Sequence, residues 1–203
     1  MNPLTIIIPA AGNSSRLGQA KQLVRYGAQS LLTRQIRLAQ QITPNVICVL
    51  GAHASAIENQ VREELTNEEI CQFIINDSWE TGMGVNIAAG VKAMPSHTQS
   101  AMILLCDQWQ LIQKDLLQLV AAGQQSPDHI IVSQYDKIDS TAHGAPVLFP
   151  ASEFESLRHL THQGAKFIYK KKPDKVKFVL LERAIHDLDT PEQLTVFNNT
   201  IQQ

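Results

Sequence analysis

The chain has 203 residues, 44% of them hydrophobic and 18% charged, enough to build a substantial buried core. Seventeen basic against nineteen acidic side chains leave a formal net charge of −2, too little positive charge to grip a nucleic-acid backbone. Three cysteines, Cys48, Cys71 and Cys106, are widely spaced without a CxxC pair, which excludes a disulfide framework or a structural zinc site and reads as buried free thiols. The start of the chain lacks a basic segment followed by an apolar one, so no leader peptide is expected. No apolar stretch approaches the ~20 residues of a membrane span, and the expected location is the cytoplasm.

Predicted elements alternate between strand and helix. Residues 5–9 are a β-branched run followed by a loop rich in Gly and Ser, and residues 31–41 place Leu32, Ile36 and Ala39 on one helical face. A strand over 45–50, a helix over 54–65 and a strand over 70–75 follow. Beyond a loop at Gly82-Met83-Gly84, residues 85–94 have helical periodicity. Residues 101–106 form a continuous apolar run, as a central strand covered on both faces requires. A helix over 116–122 and a strand over 130–133 come next. The last third reads as a strand over 147–149, helices over 153–160 and 165–171, and a strand over 176–181. A final helix begins at Thr190-Pro191-Glu192-Gln193, a capping box with Pro at the first helical position. This alternation predicts a mainly parallel sheet between helical layers, one domain over 1–203, and ligands beyond the carboxyl ends of the strands.

Every chemistry-bearing motif follows a predicted strand. The first is Pro9-Ala10-Ala11-Gly12-Asn13-Ser14-Ser15-Arg16-Leu17-Gly18-Gln19-Ala20-Lys21. Small residues let the backbone approach an anion, and Arg16 and Lys21 add two charges where a polyphosphate would lie. The spacing is neither GxGxxG nor GxxxxGK[ST]. Instead it resembles the pyrophosphorylase motif of the nucleotidyltransferase superfamily, A-A-G-x-S-x-R-[ML]-G-x-x-K, at Ala10, Ala11, Gly12, Ser14, Arg16, Leu17, Gly18 and Lys21. The resemblance implies a loop embracing the nucleotide, with Arg16 and Lys21 on its phosphates.

Asp107, at the mouth of the 101–106 strand, is well placed for a hard cation, and Leu104-Leu105-Cys106-Asp107-Gln108 resembles the family's metal-binding strand end, which implies magnesium. Trp109 stands where the family usually has Pro. Asn76 through Val91, with Trp79, Gly82, Met83 and Gly84, resembles N-x-x-W-x-x-G-M-x-x-S-x-x-x-G, with Asn86 in place of Ser, and adds Gly82 and Asn86 to the implied nucleotide contacts. His143 to Phe149 resembles G-x-P-x-x-F, a wall of the acceptor side. Gly164-Ala165-Lys166 resembles the tail of G-D-x-G-A-R without its acid. Asp187-Leu188-Asp189-Thr190-Pro191-Glu192-Gln193 resembles D-[IV]-D-T-P-E-D-L, which makes Asp189 the second metal carboxylate.

Together these stretches make the chain similar to the molybdenum cofactor cytidylyltransferase-like branch of the MobA-like NTP transferase family. The resemblance implies a three-layer α/β/α Rossmann-like nucleotidyltransferase fold with a mainly parallel, mixed sheet. It implies catalysis by Arg16, Lys21 and Asp107, with Mg²⁺ on Asp107 and Asp189. It further implies that CMP passes from CTP to a phosphate-bearing acceptor such as molybdopterin and that pyrophosphate leaves; a molybdoenzyme receiving the finished cofactor is a partner by resemblance alone. Alternatives are a GTP-using or sugar- or alcohol-phosphate nucleotidyltransferase of the same fold, and a non-catalytic cofactor-binding chaperone module.

Overall fold

The computed structural model describes residues 3–201. Met1 and Asn2, where the absence of a leader was read, and residues 202 and 203, the end of the expected domain, lie outside them.

Strand β1 (Leu4–Pro9) is buried throughout. A loop leads through a single turn at Lys21–Leu23 to a two-residue hairpin, β2 (Arg25–Tyr26) and β3 (Gln29–Ser30). Helix α1 (Leu31–Gln40) is capped by Ser30, whose hydroxyl accepts from the Thr33 amide. Then come β4 (Val46–Leu50), α2 (Ala54–Glu64), β5 (Gln72–Ile75), α3 (Met83–Lys92), β6 (Ser100–Ile103), α4 (Gln113–Gln125) and β7 (Ile130–Gln134). The last third contains β8 (His143–Pro150), the short helices α5 (Phe154–Arg158) and α6 (Lys166–Lys170), β9 (Val176–Leu180) and α7 (Pro191–Ile201).

Seven strands make one sheet in the order β5-β4-β1-β6-β8-β7-β9. β8 runs antiparallel to both β6 and β7; the other pairings are parallel. The expected mixed, mainly parallel α/β architecture is the one observed. β6 lies at the middle of the sheet, where its apolar run is covered on both sides. Along β1 the pleat alternates. Ile6 and Ile8 join the core beneath α1, α2 and α4 with Leu32, Ile57 and Leu116. Ile7 joins the core beneath α3 and α5 with Ile87, Val91 and Leu157. Each such side chain, fully buried, contributes roughly 1.5–3 kcal/mol relative to exposure, so the continuous apolar strands are the main driving force for the three layers.

Two expectations shift and one element is new. The 101–106 run leaves the sheet after Ile103, and only the Leu104 amide still reaches back, to Ile7 O at 3.0 Å. The strand expected over 147–149 begins at His143, because β8 must run alongside β7 as far as Gln134. The β2–β3 hairpin is absent from the sequence reading, since two-residue strands carry no periodicity.

Candidate active site

The parallel strands β1, β4, β5, β6, β7 and β9 end on one side of the sheet, and the loop after β1 opens there. Its entry is sewn to the neighbouring strand: the Ala10 amide donates to Val49 O (2.8 Å) and Ala11 O accepts from the Ala52 amide (2.9 Å). Ala10 and Ala11 are buried, so they form the floor, and Gly12 is the first exposed residue. Gln22 clasps the loop from beneath, its side-chain amide donating to Ala10 O (2.7 Å) and Gly12 O (2.9 Å). Ser14 adopts the left-handed region (φ 52°). Its carbonyl accepts from the Leu17 and Gly18 amides and its hydroxyl from the Lys21 amide at 3.1 Å. The loop thus turns back and aims the Lys21 side chain at the end of the central strand.

There Lys21 Nζ donates to Asp107 Oδ2 at 2.7 Å and to Asp189 Oδ1 at 2.5 Å. Arg16 donates to the other Asp189 oxygen, Oδ2, at 2.9 Å. Four residues from three remote stretches therefore meet in one cluster, two cations against two carboxylates. Exposure grades across it: side chains are 11% exposed at Asp107, 17% at Lys21, 29% at Asp189 and 74% at Arg16. Burial pushes the Asp107 carboxyl above the usual carboxylate range, only partly opposed by Lys21. Burial also acts against the Lys21 ammonium, but Asp107 and Asp189 outweigh it and hold the charge on Lys21 firmly. At Asp189 burial is again the largest influence and upward, yet the bonds and charges of Lys21 and Arg16 together bring its carboxyl below the usual range. Asp107 Oδ1 is buried with no hydrogen-bond partner. Such a group costs about 1–3 kcal/mol if left unsatisfied, and its place next to the Lys21 ammonium suits a ligand.

Asp189 is held by the start of α7. The Gln193 side-chain oxygen accepts from the Asp189 and Thr190 amides (2.7 and 2.9 Å), while the Thr190 hydroxyl accepts from the Gln193 amide (3.3 Å). That is the reciprocal cap the sequence predicts. Asp187 accepts from Gln193 Nε2 at 2.7 Å and braces this turn. Beneath the cluster Trp109, Leu188, Phe197, Leu17, Val24 and Leu31 form a separate apolar core, with Trp109 edge-on to Phe197 at 5.0 Å between ring centroids. Trp109 thus anchors the Asp107 loop to α7. Gln108 fixes the same loop through Ala145 O (2.6 Å) and Ala184 O (2.8 Å). Neither Gln22, Gln108 nor the anchoring by Trp109 was found by sequence reasoning; the only signal was large or polar side chains flanking the motifs.

The second glycine loop does not join this cluster. Asn86 is buried, accepting from Asn76 Nδ2 at 2.7 Å and donating to Gly82 O at 2.9 Å and Trp79 O at 3.3 Å. Gly82 (φ 140°) and Gly84 lie against the backbone of residues 161–163. Gly82 and Asn86, expected at the nucleotide, take part in internal bracing here, with the Asn86 side-chain amide given to Asn76, Trp79 and Gly82. The His143 ring stacks near Tyr169 and Phe178 (5.6 and 5.2 Å) with Nδ1 3.1 Å from the Tyr169 hydroxyl. Burial raises the Cys71 and Cys106 thiols to about 12 and the Cys48 thiol well above its usual value, which removes them as nucleophiles at neutral pH. A cavity of about 350 Å³ opens at the opposite, amino end of the strands among Leu4, Ile42, Leu117, Val120 and Leu148. Its described lining has no Asp, Glu, Lys or Arg, and His129 is its one titratable side chain.

The model of the MobA-like NTP transferase domain matches residues 6–176. The chain belongs to this family. Among curated relatives, bifunctional protein GlmU of Legionella pneumophila (strain Philadelphia 1) is 33% identical over 135 residues, 64% of this chain and 28% of that protein. Molybdenum cofactor cytidylyltransferase of Escherichia coli (strain K12) is 30% identical over 97 residues, 48% of each. The matched stretches thus span less than half of either relative. The crystal structure of Rv0371c from Mycobacterium tuberculosis H37Rv shares the fold, with TM-score 0.80 and 22% identity over 100% of this chain and 98% of that one. Its complex with manganese superposes with TM-score 0.74 at 18% identity, covering 100% and 99%. As a MobA-like domain this is a nucleotidyltransferase fold, and among the described residues no helix is long and apolar enough to cross a membrane.

Proposed function

We propose that this chain transfers CMP from CTP to a phosphate-bearing acceptor of the molybdopterin kind and releases pyrophosphate, with Mg²⁺ as the divalent ion. The observation that carries the reading is the convergence of Asp107 and Asp189 on one ammonium nitrogen at the mouth of the loop after β1. In-line displacement at an α-phosphorus asks for positioning and charge neutralisation rather than a covalent intermediate. The residues fit that demand. Arg16, largely exposed, and Lys21 offer cations for the triphosphate and the departing pyrophosphate, and Gly12 leaves the loop backbone open to it.

The donor set also fits a hard cation. Among the described residues no three His, Cys, Asp or Glu side chains are grouped for a metal. Mg²⁺ usually takes only one or two carboxylates and fills its shell with phosphate oxygens and water. Asp107, through its unpartnered Oδ1, and Asp189 would hold the ion, which would neutralise phosphate charge and help orient the reacting groups. The manganese complex of the Mycobacterium tuberculosis protein supports a divalent ion in this fold, and the Escherichia coli relative supports CTP and the molybdenum cofactor. The resemblance to the wider nucleotidyltransferase superfamily leaves a second reading, the same transfer with a different base or to a sugar or alcohol phosphate.

Asp107→Ala is expected to lower kcat by about 10³-fold or more with circular dichroism and melting behaviour retained; near-normal turnover would remove Asp107 from the metal site. Thermal shift with each of the four ribonucleoside triphosphates plus Mg²⁺ selects the base, since ligand at ~100 times its Kd stabilises by about 2.7 kcal/mol. Pyrophosphate release from CTP with molybdopterin, against release with sugar phosphates, decides the acceptor.

A further inference from the structure

The Lys21 ammonium sits where two carboxylates converge, 2.7 Å from Asp107 Oδ2 and 2.5 Å from Asp189 Oδ1. With Arg16 on the far oxygen of Asp189, the two negative charges are already balanced by two positive ones. A divalent ion arriving alone must therefore enter a neutral cluster and displace a cation that the backbone keeps in place. That backbone is itself fixed, through the Lys21 amide on the Ser14 hydroxyl and Gln22 on the loop carbonyls. A tethered competitor of this kind acts at a high effective concentration. A triphosphate changes the balance, because its oxygens give Lys21 and Arg16 new partners and its charge offsets the incoming ion. The unpartnered Asp107 Oδ1 is the carboxylate position that Lys21 does not satisfy.

We propose that Lys21 holds the place of the divalent ion in the nucleotide-free protein, so that Asp107 and Asp189 accept a metal only together with a triphosphate. This rests on the reading of those carboxylates as metal ligands given above. Lys21 is then both a phosphate contact and the residue that sets the order of binding: metal and nucleotide enter as one unit, and metal alone stays off.

The test uses Mn²⁺, with free ion followed by electron paramagnetic resonance and protein-bound ion by water proton relaxation, which rises only when Mn²⁺ tumbles with the protein. The wild type should bind Mn²⁺ weakly alone and at least about tenfold more tightly with a non-cleavable α,β-methylene analogue of CTP, within the usual range of coupling between two ligands. Lys21→Met should bind Mn²⁺ alone at least about tenfold more tightly than the wild type. If Lys21→Met gains nothing while the wild type takes up Mn²⁺ with the analogue, the place-holder role is overturned and the metal reading stands. If no protein binds Mn²⁺ under any condition, the metal reading fails and this proposal with it. Lys21→Gln, one atom shorter and uncharged, repeats the test with the same expected gain should Lys21→Met not fold. Should neither variant fold, wild-type Mn²⁺ affinity that is the same with and without the analogue still overturns the proposal, and a tenfold or greater difference supports it.

Discussion

The loop after β1 and the segment from Gly82 into the first turn of α3 both carry glycines and both follow a strand, yet they differ in what surrounds those glycines. A methyl group on Gly12 would meet nothing within 4 Å, whereas one on Gly84 would run into the backbone carbonyl oxygens of Thr161 and Gln163. In the first loop the polar side chains Arg16 and Lys21 end in a charged cluster at the edge of solvent. In the second, Asn86 spends its amide on Asn76, Trp79 and Gly82. A glycine in a motif marks a close approach of the backbone, and the approaching partner is either a ligand or the protein itself. The first loop leaves room; the second is already full.

The sharpest way to break this contrast is Gly84→Ala. The new methyl group faces fixed backbone, and overpacking of that kind costs about 1–3 kcal/mol, while the gain in helix propensity returns at most about 1 kcal/mol. A net loss near 1–2 kcal/mol lowers Tm by roughly 2–8 °C in a chain of this size. An unchanged melting temperature in differential scanning calorimetry would show that the segment around residues 161–163 yields easily and that the second loop is not packed shut.

Gly12→Ala should do the reverse. With open space around it, stability is expected within about 0.5 kcal/mol of the parent. The added methyl stands where the nucleotide is proposed to approach, so the KM for the triphosphate should rise about tenfold, equivalent to ~1.4 kcal/mol, with kcat affected less. A melting shift as large as that of Gly84→Ala, with KM unmoved, would erase the distinction between the two loops.

Much of this was legible in the residues. Alternation of apolar strands and helices over the first two thirds gave the layers and the central position of β6, and resemblance to the family's motifs pointed to Arg16, Lys21, Asp107 and Asp189, which the fold brings together. Two kinds of information were not legible. Elements too short for a period, such as β2 and β3, leave no pattern, and the direction of β8 depends on its neighbours rather than on its own side chains. Local polarity also does not say where a side chain is spent. Asn86 and Arg16 are both polar residues inside matched motifs, but one is buried in a bracing network and the other is largely solvent-exposed. Trp109 looked like a departure from the family's Pro; its partner Phe197 lies 88 residues further on, a contact no local window contains.

The smallest effect concerns charge. The first loop is tied to titrating groups, and the Asn76–Asn86 brace of the second does not titrate. Asp189 has a folded-state pKa below its ordinary value, because Lys21 and Arg16 outweigh its burial. Its contribution to stability is therefore complete above the unfolded carboxylate value, ~3.9, and is lost as pH falls through the folded one. Asp107 acts with opposite sign: burial raises its pKa, so its ionised form is the costly one, and protonation on acidification relieves that cost before Asp189 responds. The two contributions oppose each other, and Asp189 is partly solvent-screened, so the net change is expected to stay under about 1 kcal/mol. It should nevertheless be local. Hydrogen exchange, corrected for intrinsic rates, is expected to show amides of residues 14–21 losing protection a few-fold below pH ~4, while those of residues 76–86 keep theirs. Asp189→Asn should flatten the response in the first loop. Equal loosening of both loops would mean that acid acts on the whole fold and that the ion cluster does not hold the first loop in place.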